Sequence, residues 1–126
     1  MILDGRRFLI VGHRGAAARA PENTAVGLAA GLDAGADQIE VDAGLTRDGR
    51  VVLLHDTTLD RTTNGRGPLR ARDFGQIAGL DAGSWFSPRF AGEPPIDLDD
   101  ALAIVRPRVP LIVEVKPTVR ERARGC

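Results

Sequence analysis

The fold is decided by residues 8–43, which read FLIVGHRGAAARAPENTAVGLAAGLDAGADQIEVDA. Phe8 to Gly12 is β-branched and apolar and ends in a glycine, a pattern that predicts a buried strand. Asn23 is a good N-cap for a helix over Thr24 to Ala34, which is rich in alanine and leucine and is followed by glycine. Gln38 to Ala43 predicts a second strand. Strand, helix and strand within about 35 residues form a βαβ unit, in which the two strands are parallel.

The next apolar run, Val51 to His55, follows the second strand after only a few residues, which include the turn pair Asp48-Gly49. A parallel crossover needs about a dozen or more residues, so this connection predicts a hairpin and an antiparallel third run. Residues Thr57 to Pro95 are too many for a simple loop in a compact domain. We therefore expect a small insertion at about residues 45–95, with a short helix over Ala71 to Ile77.

A helix and a last strand follow the insertion. Asp97 is a suitable cap for a helix from Asp100 to Val105, and Leu111 to Val115 predicts a third parallel strand. The order is therefore strand, helix, strand, insertion, helix, strand. An open three-stranded parallel sheet leaves its edges unpaired, so the chain is interpreted as the first part of a larger α/β fold.

Composition limits the classes of function. The chain has 126 residues, 43% of them apolar, with seventeen basic residues balancing seventeen acidic ones. No net charge favours nucleic acid or an anionic membrane, and no run approaches the roughly 20 apolar residues of a membrane span. No signal peptide is visible, which makes a cytoplasmic protein the expectation. The only cysteine is Cys126, and Lys116 is the only lysine among sixteen arginines. An ammonium group is therefore expected to have a purpose at Lys116.

Carboxylates occur where parallel strands should be apolar on both faces. Residues two apart on a strand share a face, so Glu40 and Asp42 project together, as do Glu114 and Lys116. At the carboxyl ends of parallel strands these groups would meet in one mouth. Three gathered carboxylates need a positive charge between them, and hard oxygen ligands favour Mg²⁺ or Ca²⁺.

Both histidines of the chain also lie at strand ends. His13 and His55 are candidates for a general acid and a general base, since imidazole titrates near neutral pH. Arg14 offers a guanidinium fork for a phosphate, and Lys116 offers a point charge. A metal ion, two cationic side chains and two imidazoles together favour phosphoryl transfer to water or to an alcohol. The sequence does not assign the acid and base roles between the two histidines.

The motifs of the chain resemble those of the glycerophosphodiester phosphodiesterase family, in order from about Phe8 to Pro117. They are His13-Arg14-Gly15, Pro21-Glu22-Asn23-Thr24, Gly35-Ala36-Asp37-x-Ile39-Glu40-Val41-Asp42, Thr46-x-Asp48-Gly49, His55-Asp56, Arg61-Thr62-Thr63-x-Gly65, Leu80-Asp81-Ala82-Gly83-x-Trp85-Phe86 and Glu114-x-Lys116. Each motif is weak evidence alone, but the ordered set is specific.

The resemblance implies a TIM-like (β/α)8 barrel with an insertion after the second strand, here at about residues 45–95. A full barrel takes about 250 residues, so residues 1–126 would be a truncated N-terminal part of it. The resemblance further implies that glycerophosphodiesters such as glycerophosphocholine are hydrolysed to glycerol 3-phosphate and an alcohol. The implied roles are metal ligation by Glu40, Asp42 and Glu114, acid/base catalysis by His13 and His55, and phosphate binding by Arg14 and Lys116.

Two other functions stay open at this point. A related phospholipase-type phosphodiesterase would act on intact lipid, although no exposed apolar helix or basic membrane patch favours it. A non-catalytic fragment, which binds metal or depends on a partner, would keep the motifs without the later strands that shape the pocket. Unpaired sheet edges also predict that the isolated chain associates with itself. Trp85 and Phe86 are expected to belong to the insertion's own core rather than to the pocket.

Overall fold

The computed structural model describes residues 9–115 and two short N-terminal strands, β1 (Ile2–Leu3) and β2 (Arg6–Arg7), which pair antiparallel with each other. The remaining elements are β3 (Val11–His13), α1 (Ala25–Asp33), β4 (Gln38–Leu45), β5 (Val51–Leu53), α2 (Phe74–Ile77), α3 (Leu98–Val105) and β6 (Leu111–Val115), with short 3₁₀ helices at Leu69–Ala71 and Pro88–Phe90. Among the described residues, no helix has the length and hydrophobicity that crossing a bilayer requires.

Strand β4 is the centre of a four-stranded sheet. It pairs in parallel with β3 and with β6, and antiparallel with β5. The predicted βαβ unit, the hairpin and the final parallel strand are therefore confirmed. Strand β3, which the sequence predicts over Phe8 to Gly12, begins only at Val11, because β4 begins at its partner Gln38. Just before this pair, the backbone N–H of Ile10 donates to the Asp37 carboxylate at 2.8 Å.

Helices α1 and α3 pack on one face of the sheet. The core there consists of buried residues of both helices and of alternate residues of β4, joined by one residue between α1 and β4, one of β5 and one before α3: Leu28, Leu32, Ala36, Ile39, Val41, Leu53, Ile96, Ala101 and Val105. The loop after β3 lies directly on α1, since a Cβ on Gly15 would stand 2.5 Å from the carbonyl oxygen of Gly27. Burial of this apolar face fixes the orientation of β4, so that its other, polar face points away from the helices.

The insertion has a core of its own on the opposite side of β5. Its buried residues are Val52, Leu54, Leu59, Leu69 and Ile77. The predicted helix over Ala71 to Ile77 is only partly formed, because Arg72 adopts an extended backbone that separates the 3₁₀ turn from α2. A capping box between Asp73 and Gln76 then starts α2. The insertion is therefore a small packed unit built onto the hairpin.

The N-terminal caps of α1 and α3 differ in how well the sequence predicted them. Asp97 caps α3 by accepting a hydrogen bond from the backbone N–H of Asp100 at 2.8 Å, as predicted. The prediction that Asn23 caps α1 is wrong, because the cap is Thr24, whose Oγ1 accepts from the N–H of Gly27 at 3.1 Å. Asn23 has a positive φ of 56° and directs its side chain elsewhere.

Candidate active site

The strand register places four candidate residues on one face of the sheet. His13 is the register partner of Glu40, and Asp42 is the partner of Glu114. Directly paired residues share a face, and so do residues two apart on one strand. His13, Glu40, Asp42 and Glu114 therefore project from the face opposite the helices, as the sequence predicted for the carboxylates.

Strands β3 and β5 meet end to end along the same edge of β4. The N–H of Arg14 donates to the carbonyl oxygen of Glu40 at 2.6 Å, and the N–H of Leu54 donates to that of Asp42 at 3.0 Å. These two carbonyl groups are two residues apart and point to the same side of β4. Because of the hairpin, His55 therefore follows the end of β5 close to the end of β3, where His13 and Arg14 lie.

The two histidines have different surroundings. His13 is exposed, and its Nε2 lies 3.8 Å from Oε1 of Glu40. His55 is half-buried, and its Nδ1 lies 2.8 Å from Oδ1 of Asp56. Lys116 lies outside the described residues, so its predicted role stays a prediction.

The carboxylate of Asp56 fixes the tautomer of His55. Hydrogen bonds from Arg61, reinforced by His55, lower the pKa of Asp56 to about 2. Asp56 is therefore ionised at neutral pH and can only accept a hydrogen bond. In the neutral imidazole the proton must then be on Nδ1, which leaves the lone pair on Nε2, the nitrogen that can exchange a proton with substrate.

Asp42 is held by two neighbours. Its side chain is only 5% exposed, and its Oδ2 lies 3.1 Å from Nε of Arg14 and 3.2 Å from Nδ2 of Asn23. The amide oxygen of Asn23 also accepts from the backbone N–H of Asp42 at 3.3 Å. The contact with Arg14 is an ion pair without hydrogen-bond geometry.

Glu22 lies between two arginines. It accepts from Nη1 of Arg14 at 3.2 Å, and it accepts two hydrogen bonds from Arg61 at 3.0 and 2.9 Å. Its side chain is 8% exposed, so its buried negative charge depends on the two neighbouring guanidinium groups for compensation. We call the resulting series of hydrogen bonds and ion pairs the charge chain; its members in order are His55, Asp56, Arg61, Glu22, Arg14 and Asp42.

Sequence reasoning assigned no role in the site to Glu22, Asn23, Asp56 or Arg61. All four belong to the quoted motifs, and Asn23 was interpreted as the start of the helix. One sequence signal was available: the motifs place specific polar and charged residues in loops. Neither helix capping nor solvent exposure explains why those loop positions need those residue types. Only the tertiary structure shows that they contact one another.

The carboxylate set fits a hard divalent cation in chemistry and in placement on one face. Within the described residues, however, no three His, Cys, Asp or Glu side chains converge on one point. Both contacts of Asp42 named above involve Oδ2, so a cation bound through Oδ1 would leave them in place. Oxygen ligands from two neighbouring strands are also what Mg²⁺ and Ca²⁺ bind in proteins. The residues therefore fit such an ion.

Comparison with known proteins gives a consistent family. Residues 13–126 match the model of the glycerophosphoryl diester phosphodiesterase family. A glycerophosphodiester phosphodiesterase of Caldanaerobacter subterraneus subsp. tengcongensis is 45% identical over 87 residues, which are 69% of this chain and 36% of that protein.

Solved structures agree with the sequence comparison. A glycerophosphodiester phosphodiesterase from Agrobacterium tumefaciens is 41% identical with a TM-score of 0.86, over 94% of this chain and 52% of that one. An Oleispira antarctica phosphodiesterase, solved in complex with the product sn-glycerol-3-phosphate, is 33% identical with a TM-score of 0.84, over 88% of this chain and 45% of that one. The chain thus spans about half the length of these structures, which confirms the expected N-terminal part of a TIM-like barrel.

Proposed function

The chain belongs to the glycerophosphoryl diester phosphodiesterase family, and we propose that it hydrolyses glycerophosphodiesters to glycerol 3-phosphate and an alcohol. The observation that carries this proposal is the end-to-end meeting of β3 and β5 on β4. Support comes also from the strand register, which puts His13 and the three carboxylates on one face, and from the charge chain, which connects His55 and Arg14 to Asp42. The product bound to the similar Oleispira enzyme supports the choice of substrate.

Each histidine has a part in the proposed reaction. One of His13 and His55 removes the proton from the attacking hydroxyl group, and the other gives a proton to the leaving alkoxide. The contact with Asp56 supports His55 as a positioned imidazole with its Nε2 directed to substrate. The exposed ring of His13 beside Glu40 supports access of that histidine to a bound diester.

The phosphate group requires positive charge. Arg14 uses Nε and Nη1 toward Asp42 and Glu22, and we propose that Nη2 meets a phosphate oxygen. Lys116 is proposed as the second phosphate contact. Together the two cations would neutralise the charge that develops on the phosphoryl oxygens.

The proposed metal ligands are Glu40, Asp42 and Glu114, with Mg²⁺ or Ca²⁺ as the ion. When bound, the ion supplies a Lewis acid that polarises a phosphoryl oxygen. These three carboxylates would hold the ion on the face from which His13 also projects.

Release of glycerol 3-phosphate from glycerophosphocholine tests the proposal, with added Mg²⁺ or Ca²⁺ and with EDTA. We expect turnover that EDTA abolishes, and a loss of about 10²-fold or more in kcat/KM for His13→Ala and for His55→Ala. Arg47→Ala is the matched control, since its guanidinium donates both of its hydrogen bonds among the described residues to Asp73, on the exposed surface of the insertion. If His13→Ala or Glu40→Ala kept an activity within about tenfold of the wild type, the roles proposed for these residues would be contradicted. A tenfold change corresponds to about 1.4 kcal/mol in activation free energy.

The same assay separates the two other functions. Saturable binding of Mg²⁺ or Ca²⁺ without turnover would favour a non-catalytic fragment. Lipid products from intact phospholipid, without free glycerol 3-phosphate, would favour a phospholipase-type enzyme.

A further inference from the structure

We propose that Arg61, a residue of the insertion, is a positioning residue for the catalytic groups. It holds Asp56 against His55 on one side and Glu22 against Arg14 on the other. This inference deepens the proposed function and rests on it. Arg61 does not contact His55 or Arg14 directly in the structure. It acts on them through the carboxylates of Asp56 and Glu22.

The guanidinium of Arg61 forms two forks. Toward Asp56, Nε donates to Oδ2 at 2.9 Å and Nη2 donates to Oδ1 at 3.0 Å. Toward Glu22, Nη1 donates to Oε1 at 3.0 Å and Nη2 donates to Oε2 at 2.9 Å. One planar cation therefore fixes the orientation of two carboxylates, which a lysine ammonium has no geometry to do.

Each carboxylate passes this orientation to a candidate catalytic group. Oδ1 of Asp56, which Nη2 of Arg61 holds, is the same atom that faces Nδ1 of His55 at 2.8 Å. Oε2 of Glu22 is likewise shared, between Nη2 of Arg61 and Nη1 of Arg14 at 3.2 Å. A shift of Arg61 would therefore move the ring of His55 and the guanidinium of Arg14 together.

Two distant parts of the chain meet at Arg61. Glu22 precedes α1, whereas Asp56 and Arg61 both belong to the insertion and follow β5. The indole of Trp85 adds a further contact, with its ring centre 5.7 Å from the Cζ of Arg61. Trp85 itself packs edge to face on Phe86, but it is 39% exposed and lies outside the insertion's buried core, so the prediction that it belongs to that core is wrong. The guanidinium of Arg61 is therefore one of the contacts that join the insertion to this end of the sheet, beside the backbone bond of Leu54 to Asp42.

The residue type by itself carries no weight, because sixteen of the seventeen basic residues are arginine. The contrast with Arg47 does. Arg47 makes the same kind of fork with Asp73, at 3.0 and 2.9 Å, and no charged site residue within the described part of the chain contacts that pair. Exposed pairs of this kind contribute little to stability, whereas Arg61 neutralises the nearly buried Glu22.

The experiment compares Arg61→Ala and Arg61→Lys with Arg47→Ala in the full chain. For Arg61→Ala we expect kcat to fall about 10²-fold with a smaller change in KM, as small displacements of catalytic groups do. Arg61→Lys should have a similarly low kcat. Millimolar guanidinium ion should partly restore the kcat of Arg61→Ala. Arg47→Ala should match the wild type.

A second measurement does not depend on turnover. The chain has only two histidines, so ¹⁵N spectra of their rings are simple, and His13→Ala assigns the pair. The neutral ring of His55 should carry its proton on Nδ1 in the wild type and in Arg47→Ala. In Arg61→Ala and Arg61→Lys the form with the proton on Nε2 should increase.

The two readouts separate the inference from the proposed function. An inactive wild type would contradict the proposed function, and the tautomer of His55 would still decide the role of Arg61. An unchanged tautomer in both Arg61 variants would overturn the inference, as would full activity of Arg61→Lys. If Arg61→Ala does not fold, Arg61→Lys keeps the charge and carries the spectroscopic test alone.

Discussion

Asn23 shows how much one loop residue can contribute at the scale of single side chains. Its φ of 56° lies in the left-handed region, which asparagine tolerates better than most residues. This conformation lets its amide group bind both the backbone and the carboxylate of Asp42. Because Asp42 is nearly buried, its charge needs such partners as well as Arg14. Asn23, which the sequence predicts as a helix cap, therefore holds Asp42 in place instead.

Asp56 makes the stability of the folded chain depend on pH. Its pKa is lowered from 3.8 to about 2 in the folded state, chiefly by hydrogen bonds from Arg61. A depressed pKa contributes stability that is present above the unfolded value and lost as pH falls through the folded one. We therefore expect the wild type's advantage over Asp56→Asn in free energy of unfolding to shrink between about pH 4 and pH 2.

Urea denaturation at one protein concentration, from pH 2 to pH 6, measures this difference. Asp33→Asn is the matched control, since Asp33 is exposed and lies 3.9 Å from Arg108. It removes the same charge at a distant surface position. A constant gap between the wild type and Asp56→Asn across this range would contradict the prediction.

At the scale of elements, the insertion holds its shape by close backbone packing as well as by its apolar core. Asp81 accepts hydrogen bonds from Ser84 and from the N–H of Gly83, and these bonds lower its pKa. Gly83 in turn lies against the backbone of Phe90: a Cβ there would stand 2.0 Å from the carbonyl oxygen. The end of the insertion that carries Trp85 and Phe86 thus depends on a residue without a side chain.

Two glycine substitutions in the insertion should have opposite effects. Gly83→Ala forces a methyl group onto backbone atoms that cannot move independently, and we expect a loss of about 2 kcal/mol or more. Gly75→Ala lies in α2 with no atom within 4 Å of the new methyl group. It should stabilise the chain by up to about 0.5 kcal/mol through helix propensity. Equilibrium urea denaturation checks both; equal stability of the two variants would contradict this account.

At the scale of the whole molecule, the described sheet ends in exposed apolar residues on both sides. Leu9, beside β3, is 64% exposed, and Val115, in β6, is 68% exposed. These are the two sides at which the sheet has no further strand among the described residues. Open strand edges with apolar side chains are templates for pairing with another chain.

We therefore expect the 126-residue chain to associate with itself in solution. Sedimentation velocity over a range of concentrations measures this association, and Leu9→Lys or Val115→Lys should weaken it. Leu45→Lys is the control, since Leu45 is an exposed apolar residue at the hairpin rather than at an open edge. A monomer at all concentrations would contradict the expectation.

Local patterns were enough to predict most of the elements and the positions of the candidate groups. The hairpin followed from a count of residues between Ala43 and Val51, and the cap at Asp97 followed from its residue type. The interrupted helix at Arg72 was not predictable, because packing of the insertion's core outweighs local propensity there. The charge chain was not predictable either, since its members are distant in sequence.

Sequence patterns alone were enough to predict an α/β chain that resembles the glycerophosphodiester phosphodiesterase family, with His13 and His55 at strand ends and three carboxylates on one face of its strands. Strand periodicity and residue type are local properties, so they are legible without coordinates. The return of β5 to the end of β3, and the contacts by which Arg61 joins Asp56 to Glu22, are visible only in the folded chain. Contacts between loops depend on how the sheet, the helices and the insertion pack, and no local pattern encodes that arrangement.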